Sequence, residues 1–198
     1  MNLPNIITLT RILLVPIFVL IYLLPGSATY LFAAILFALA AATDWLDGYL
    51  ARRLNQTTPF GAFLDPVADK LIVVSALVVL MAEHSTIWLT LPGLIIVGRE
   101  IMISALREWM AEMNSSVTVA VSVLGKVKTT LQMVAIAVLL AIPPESTSVI
   151  VFMGYSLLYV AALMTLWSMS LYLQAAWPTL KQGIETAKGA RASDERSR

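Results

Sequence analysis

Four aspartates stand at spacings that could gather them in one place. Asp44 and Asp47 lie in the run Asp44-Trp45-Leu46-Asp47-Gly48-Tyr49-Leu50-Ala51-Arg52. Asp65 and Asp69 lie in Gly61-Ala62-Phe63-Leu64-Asp65-Pro66-Val67-Ala68-Asp69. At about 100° per helical residue, Asp44, Asp47, Gly48 and Ala51 share a face, as do Gly61, Asp65 and Asp69. Only a short connection separates the two runs, so antiparallel neighbouring helices would bring the acidic faces together. An all-carboxylate site without cysteine or a second histidine favours hard cations such as Mg²⁺ or Mn²⁺. Gly48 and Gly61 beside the acids would either let helices pack closely or let a phosphate or nucleotide approach the backbone.

The elements that must position these acids are membrane helices. Of the 198 residues, 59% are hydrophobic and only 13% charged, where an ordinary domain has about 25% charged. The mean hydropathy is +0.85. One soluble domain of this size could not hide so much apolar surface. Six stretches approach the ~20 residues that a bilayer requires, over 6–24, 30–50, 63–81, 87–106, 119–142 and 149–172. Helix is expected throughout, because a spanning segment must satisfy its own backbone. Breaks fall at Pro25-Gly26-Ser27, Thr57-Thr58-Pro59, Asn114-Ser115-Ser116 and Pro143-Pro144. The first stretch lacks the basic start of a cleaved signal and is expected to stay in place. Residues 1–180 form one membrane domain in this reading, and 181–198 a polar tail, expected to be disordered after Trp177-Pro178.

Positive charge orients the bundle. Arg52 and Arg53 follow the second stretch, Arg107, Lys126 and Lys128 flank the connection between the fourth and fifth, and five basic residues follow the sixth. The connections around Gly26, His84 and Glu145 carry no lysine or arginine. Both termini are therefore expected in the cytoplasm. Asp44 lies eight residues before Arg52, about 12 Å along a helix, which sets it just under the headgroups. A bare aspartate at a helix centre costs about 2.5–3.5 kcal/mol on insertion scales. The basic residues near in sequence, Arg52, Arg53 and Lys70, are too few to neutralise four acids, whereas divalent cations would do so.

The pattern Asp-x-x-Asp-Gly-x-x-Ala-Arg, eight residues, then Gly-x-x-x-Asp-x-x-x-Asp, filled from Asp44 to Asp69, resembles the signature of the CDP-alcohol phosphatidyltransferases. Residues 2–11, 98–109 and 125–130 resemble a bacterial subgroup of that family. The resemblance implies an all-α integral membrane protein, a six-transmembrane-helix bundle that is usually dimeric and opens to the cytoplasm of a bacterial plasma membrane. It implies that an alcohol attacks CDP-diacylglycerol and CMP leaves, and that in the subgroup the alcohol is the 1-hydroxyl of sn-glycerol 3-phosphate. It further implies Asp44, Asp47, Asp65 and Asp69 as metal ligands, for two ions of Mg²⁺ or Mn²⁺, with Asp69 also the base. Gly48, Ala51, Arg52 and Gly61 would then meet the CDP-lipid. Nucleic acid is not an expected partner.

Glycerol 3-phosphate is a dianion, so its pocket needs extra cations. Arg99, Arg107, Lys126 and Lys128 are the candidates. Arg99 and Arg107 are eight apart, about 80° around a helix, and can line one groove. The plainer reading of Arg107, Lys126 and Lys128 is the positive-inside rule, and that of Arg99 is pairing with Glu100 or a neighbouring helix. Thr8 and Arg11 would reach the nucleotide or merely anchor the interface. Trp88, Trp167 and Trp177 read as interfacial belt residues, and His84 as a solvated loop residue. Two other readings compete: the same chemistry on inositol phosphate, serine or phosphatidylglycerol, and a divalent-cation transporter. A transporter would carry polar residues through its full depth, and here the half beyond the acids is nearly uncharged.

Overall fold

A computed structural model describes residues 3–54, 58–112 and 123–196, with side-chain detail at fewer positions, 44–54 and 182–196 being the longest stretches left out. The described residues form six helices and no strand. These are α1 (Leu3–Leu23), α2 (Ser27–Leu54), α3 (Pro59–His84), α4 (Ile87–Glu112), α5 (Val123–Leu140) and α6 (Val149–Arg196). Within them Asn5–Leu23, Ile87–Ala111 and Val149–Lys181 are long and apolar enough to cross a membrane, and Ser27–Thr43 is a shorter apolar helix. The other helices also carry charge within their length: Asp44 and Asp47 late in α2, Asp65 and Asp69 early in α3, and Lys126 and Lys128 on α5.

Local chemistry sets the helix ends. Thr58 caps α3 from an extended conformation, its hydroxyl accepting from the Gly61 N–H at 3.0 Å, and Pro59 takes the first turn, where its missing N–H costs nothing. Ser85 ends α3 in the left-handed region, its N–H bonded to the Met81 carbonyl. Gly26, at φ +143°, makes the turn from α1 to α2. The tail departs from expectation. Helix α6 runs on to Arg196, and Pro178 lies inside it without ending it. The stretch beyond Pro178 is rich in lysine, glutamate, alanine and arginine, which are good helix formers, so polarity there does not mean loss of helix.

Packing gives α1 a sharply patterned face. Its buried residues are Asn5, Thr8, Arg11, Val15, Phe18 and Tyr22, a 3-3-4-3-4 spacing that keeps one stripe inward. The stripe is polar at its start and apolar beyond. It packs on α2 and α3, with Phe18 edge-on to Phe37 at 6.0 Å. The main core joins these to Ile72, Leu77 and Leu80 of α3, Leu89 and Ile96 of α4, Ile136 and Leu139 of α5 and Leu158 of α6. A Cβ at Gly154 would fall 2.8 Å from a Leu139 methyl, so the absent side chain lets α5 and α6 touch. A smaller core of Ile103, Met110, Tyr172 and Ala176 holds the later halves of α4 and α6 together.

Candidate active site

The first turns of α3 place Asp65 and Asp69 one turn apart against the polar start of the α1 stripe. Thr8 Oγ1 donates to Asp65 Oδ1 at 3.0 Å. Arg11 Nη1 donates to Asp69 Oδ1 at 2.6 Å. The burial is lopsided: the Arg11 side chain is 1% exposed and that of Asp69 48%. A charge-assisted bond of this kind fixes the carboxylate from behind and leaves its other side towards the surface. One turn earlier, Thr58 Oγ1 donates to Asn5 Oδ1 at 3.1 Å. A Cβ at Gly61 would come 2.7 Å from that same Asn5 oxygen. The lack of a side chain at Gly61 therefore serves the seating of α3 on α1.

Thr8 and Arg11 are the residues that the sequence reading undervalues. It offers Thr8 to the CDP-lipid or to interface anchoring, and counts only Arg52, Arg53 and Lys70 as neighbours of the acids. The structure instead buries Thr8 and Arg11 and sets both against the α3 aspartates. A signal for this was present. Residues 5, 8 and 11 continue the 15, 18, 22 stripe, so they had to face inward, and a buried arginine needs an acid.

Asp44, Asp47, Gly48, Ala51 and Arg52 stand on the last turns of α2, which packs on α1 and α3. Their side chains lie outside the described residues. Among the described residues no group of three or more potential metal ligands gathers. Asp65 and Asp69 alone can be tested for fit to a divalent cation. Both are carboxylates on one face of α3, both open towards the surface, and their neighbouring side chains offer oxygen or guanidinium but no sulfur. This donor set fits a hard cation.

Beside the acids, α3 and α4 enclose a cleft of about 250 Å³, walled by Pro66, Lys70, Arg99, Glu100, Ile103, Ser104 and Arg107. Lys70, next to Asp69 in sequence, donates to Ser104 across the gap. Arg99 donates to Glu100 Oε1 at 2.8 Å and to Ser168 of α6 at 3.1 Å. Arg107 lies 5.5 Å from the ring centre of Tyr172, a cation–π contact. Lys128 is buried on α5 with Nζ 3.8 Å from Glu100 Oε1. Of the four cations expected at the acceptor, Arg99 and Arg107 line the cleft and Lys128 reaches it through Glu100. Lys126 is exposed and not part of its wall. The pairing of Arg99 with Glu100, weighed above as the plainer reading, is present inside the cleft. Lys70, expected from sequence only as a neighbour of the acids, is a further cation of this wall. Its place one residue after Asp69 was the available clue.

At the opposite end of α3 the buried hydrogen-bonding groups are uncharged, with Glu83 beside them. His84 is buried at the last turn of α3, correcting the expectation of a solvated loop residue. Its Nδ1 is 3.1 Å from the Tyr155 hydroxyl, which in turn lies 3.5 Å from Thr86 Oγ1. Burial holds the His84 pKa below the ordinary histidine value, with the charge of Glu83 pulling weakly the other way. Trp88, Phe152, Tyr155, Ser156, Tyr159 and Thr86 line a cavity of about 420 Å³ there, with no ionisable group besides the tyrosines.

Residues 1–171 match the profile of the CDP-alcohol phosphatidyltransferases. A protein from Pseudomonas fluorescens named CDP-diacylglycerol–glycerol-3-phosphate 3-phosphatidyltransferase is 57% identical over 182 residues, covering 91% of this chain and 93% of its own. Proteins of the same name from Escherichia coli (strain K12) and Shigella flexneri are each 53% identical over 175 residues, covering 88% of this chain and 94% of theirs.

Proposed function

Because this chain belongs to the CDP-alcohol phosphatidyltransferase family, we propose that it transfers the phosphatidyl group of CDP-diacylglycerol to the 1-hydroxyl of sn-glycerol 3-phosphate. The products are phosphatidylglycerophosphate and CMP. The observation that carries the choice of acceptor is the cleft beside Asp69. Lys70, Arg99 and Arg107 line it against one carboxylate, Glu100, and that excess of cations suits a phosphate dianion. Serine or a neutral polyol would not need it. Arginine suits the role because its planar fork can grip two phosphate oxygens at once.

In this reading the acceptor phosphate rests on Arg99, Arg107 and Lys70, with Lys128 adding charge from behind, and Lys126 serves the mouth. The 1-hydroxyl then points back towards α3. Asp69 takes its proton as the oxygen attacks the phosphatidyl phosphorus and the bond to CMP breaks. Arg11 and Thr8 hold the Asp69 and Asp65 carboxylates in register for this. Asp44, Asp47, Asp65 and Asp69 would hold divalent metal, two ions of Mg²⁺ or Mn²⁺, which when bound supplies neutralisation of charge on the pyrophosphate and leaving oxygens. Gly48, Ala51, Arg52 and Gly61 border the CDP-lipid. The six helices span a bacterial plasma membrane as a homodimer, with both termini and the site at the cytoplasmic face.

The test uses purified protein, CDP-diacylglycerol and a panel of alcohols, with metal added or chelated, and CMP release as readout. Release that depends on glycerol 3-phosphate and stops on chelation is expected. Equal release with inositol phosphate or serine would remove the acceptor assignment. Cation flux in liposomes without CMP release would replace the enzyme with a transporter.

A further inference from the structure

Glu100 is out of place in a cleft for an anion. It faces the space that the acceptor phosphate would enter, where a carboxylate repels it. Its contacts to Arg99 and Lys128 both fall on the same oxygen, Oε1, at 2.8 and 3.8 Å. Arg99 is held a second time, by Ser168 of α6, and Lys128 is already packed into the buried stripe that Lys128, Gln132, Ala135 and Leu139 form on α5. Glu100 is thus not the sole tether of Arg99, and Lys128 has packing of its own. What it adds is a carboxylate in the cleft wall, beside Ser104 and Arg107, whose Oε1 is tied to the two cations.

We propose that Glu100 reads the second hydroxyl of the acceptor. Resting on the reading above, the phosphate of sn-glycerol 3-phosphate sits on Arg99, Arg107 and Lys70. The 1-hydroxyl is directed to Asp69, and the 2-hydroxyl between them donates to Glu100 Oε2. The cations grip any small phosphate, and Glu100 selects one with a hydroxyl on the neighbouring carbon. A site built around a substrate hydroxyl rejects the analogue lacking it, because the protein group is then left without its partner. A hydrogen bond to a charged group corresponds to a preference of about 10- to 100-fold. A carboxylate in this position also disfavours acceptors with more negative charge than one phosphate, by like-charge repulsion.

The probe is 3-hydroxypropyl phosphate, which keeps the phosphate and the attacking primary hydroxyl and lacks only the 2-hydroxyl. Its kcat/KM, read as CMP release at saturating CDP-diacylglycerol, is compared with that of glycerol 3-phosphate in wild type, Glu100→Gln and Glu100→Ala. Wild type should prefer glycerol 3-phosphate by about 10- to 100-fold. Glu100→Ala should bring the ratio close to one, mostly through loss on glycerol 3-phosphate. Glu100→Gln, whose amide oxygen still accepts but carries no charge, should keep a preference several-fold smaller than wild type. The ratio is the decisive quantity, since damage to Arg99 or to folding lowers both substrates together. If Glu100→Ala keeps the wild-type ratio, or wild type shows no preference, Glu100 does not read the hydroxyl although the acceptor assignment stands. If Glu100→Ala does not fold, an unchanged ratio in Glu100→Gln overturns the proposal instead. Wild-type protein that releases CMP with another alcohol but not with glycerol 3-phosphate would fail the reading of function itself, and this inference with it.

Discussion

At its N-terminal end α3 presents Asp65 and Asp69 to Thr8 and Arg11. Fifteen residues after Asp69, about 22 Å along the helix, the same α3 presents His84 to Tyr155. Both places bury polar groups between helices, and they satisfy them differently. The first uses full charges and buries only one partner, so a carboxylate stays half exposed while its arginine is sealed. The second uses neutral groups, and burial lowers the histidine's pKa. A closed neutral network only joins helices. A charged pair with one open side can do that and also offer an oxygen to something arriving from outside. In the proposed function, the contrast separates the reactive end of the bundle from the end that only holds it together.

The contrast is broken most directly at Asp69. Asp69→Asn keeps an oxygen for Arg11 to bond, so the protein should fold and bind CDP-diacylglycerol. It loses the proton acceptor, so turnover should fall by about 10²–10⁴-fold, the usual worth of a positioned acid or base. Single-turnover CMP release on the purified variant, alongside CDP-lipid binding, checks both halves; near-normal turnover would take Asp69 out of the base role. Arg11→Met sharpens the point from behind. Removing one partner of an ion pair is most damaging when the charge left behind is buried; here the charge left, Asp69, is half exposed and keeps its access to water. The carboxylate nevertheless loses its register, and misplacement of about 1 Å can cost about 10²-fold. A fall in kcat of that order with a melting temperature near that of wild type is the expected result. A collapse of folding with no separate loss of kcat would make Arg11 a structural residue like His84.

Within the reactive end, the acid face and the cationic cleft should fail in different parameters. Arg99→Ala removes a donor to the acceptor phosphate but leaves Asp65 and Asp69 with Thr8 and Arg11. The expected outcome is a rise of about 10- to 100-fold in KM for glycerol 3-phosphate, the range for a hydrogen bond to a charged group, with the KM for CDP-diacylglycerol within about twofold. Steady-state kinetics with each substrate varied in turn measures this. A KM for glycerol 3-phosphate that does not move would refute the acceptor role of Arg99. Arg99→Lys should recover only part of the loss, because a lysine supplies charge without the paired geometry.

How far these assignments were legible in sequence differs by element. The acids on α3 announced themselves through spacing, because i and i+4 fix a shared helical face whatever the tertiary context. Arg99 and Arg107, eight residues and about 80° apart, were read as able to line one groove, and both wall the cleft. The helices followed from apolar length, though the polar stretch after Pro178 is helical where composition suggested otherwise. Arg11 was harder. Nothing near it in sequence is acidic, and its partner lies 58 residues away. Only the continuation of the α1 stripe exposes it. Lys128 and Lys126 show the same limit from the other side. Two residues apart, they look equivalent as charges, yet one falls on the buried stripe of α5 and the other off it. His84 was misread because a lone histidine near a turn resembles a solvated one until the helix bringing Tyr155 to it is known.

The His84 end gives the smallest effect, and its test is read in the pH dependence of stability. The His84 pKa is lowered in the folded protein, chiefly by burial. Its Nε2 is buried without a hydrogen-bond partner among the described residues, so a proton there would gain nothing to offset its desolvation. The unfolded chain, with an ordinary histidine pKa of about 6.5, takes up that proton first as pH falls. The histidine's contribution to stability is therefore complete above about pH 6.5 and diminishes as pH drops below it. Wild-type protein in detergent should melt lower at pH 5 than at pH 7.5, by about 2–4 °C for each 1 kcal/mol lost in a chain of this size. His84→Gln keeps a polar partner for Tyr155 and removes the titration, so its melting temperature should change less between those two values. Enzymatic activity at pH 7.5 should stay close to wild type in the same variant, because His84 lies about 22 Å along α3 from Asp69. If the variant's melting temperature fell with pH as steeply as that of wild type, His84 would not be the source of the acid sensitivity.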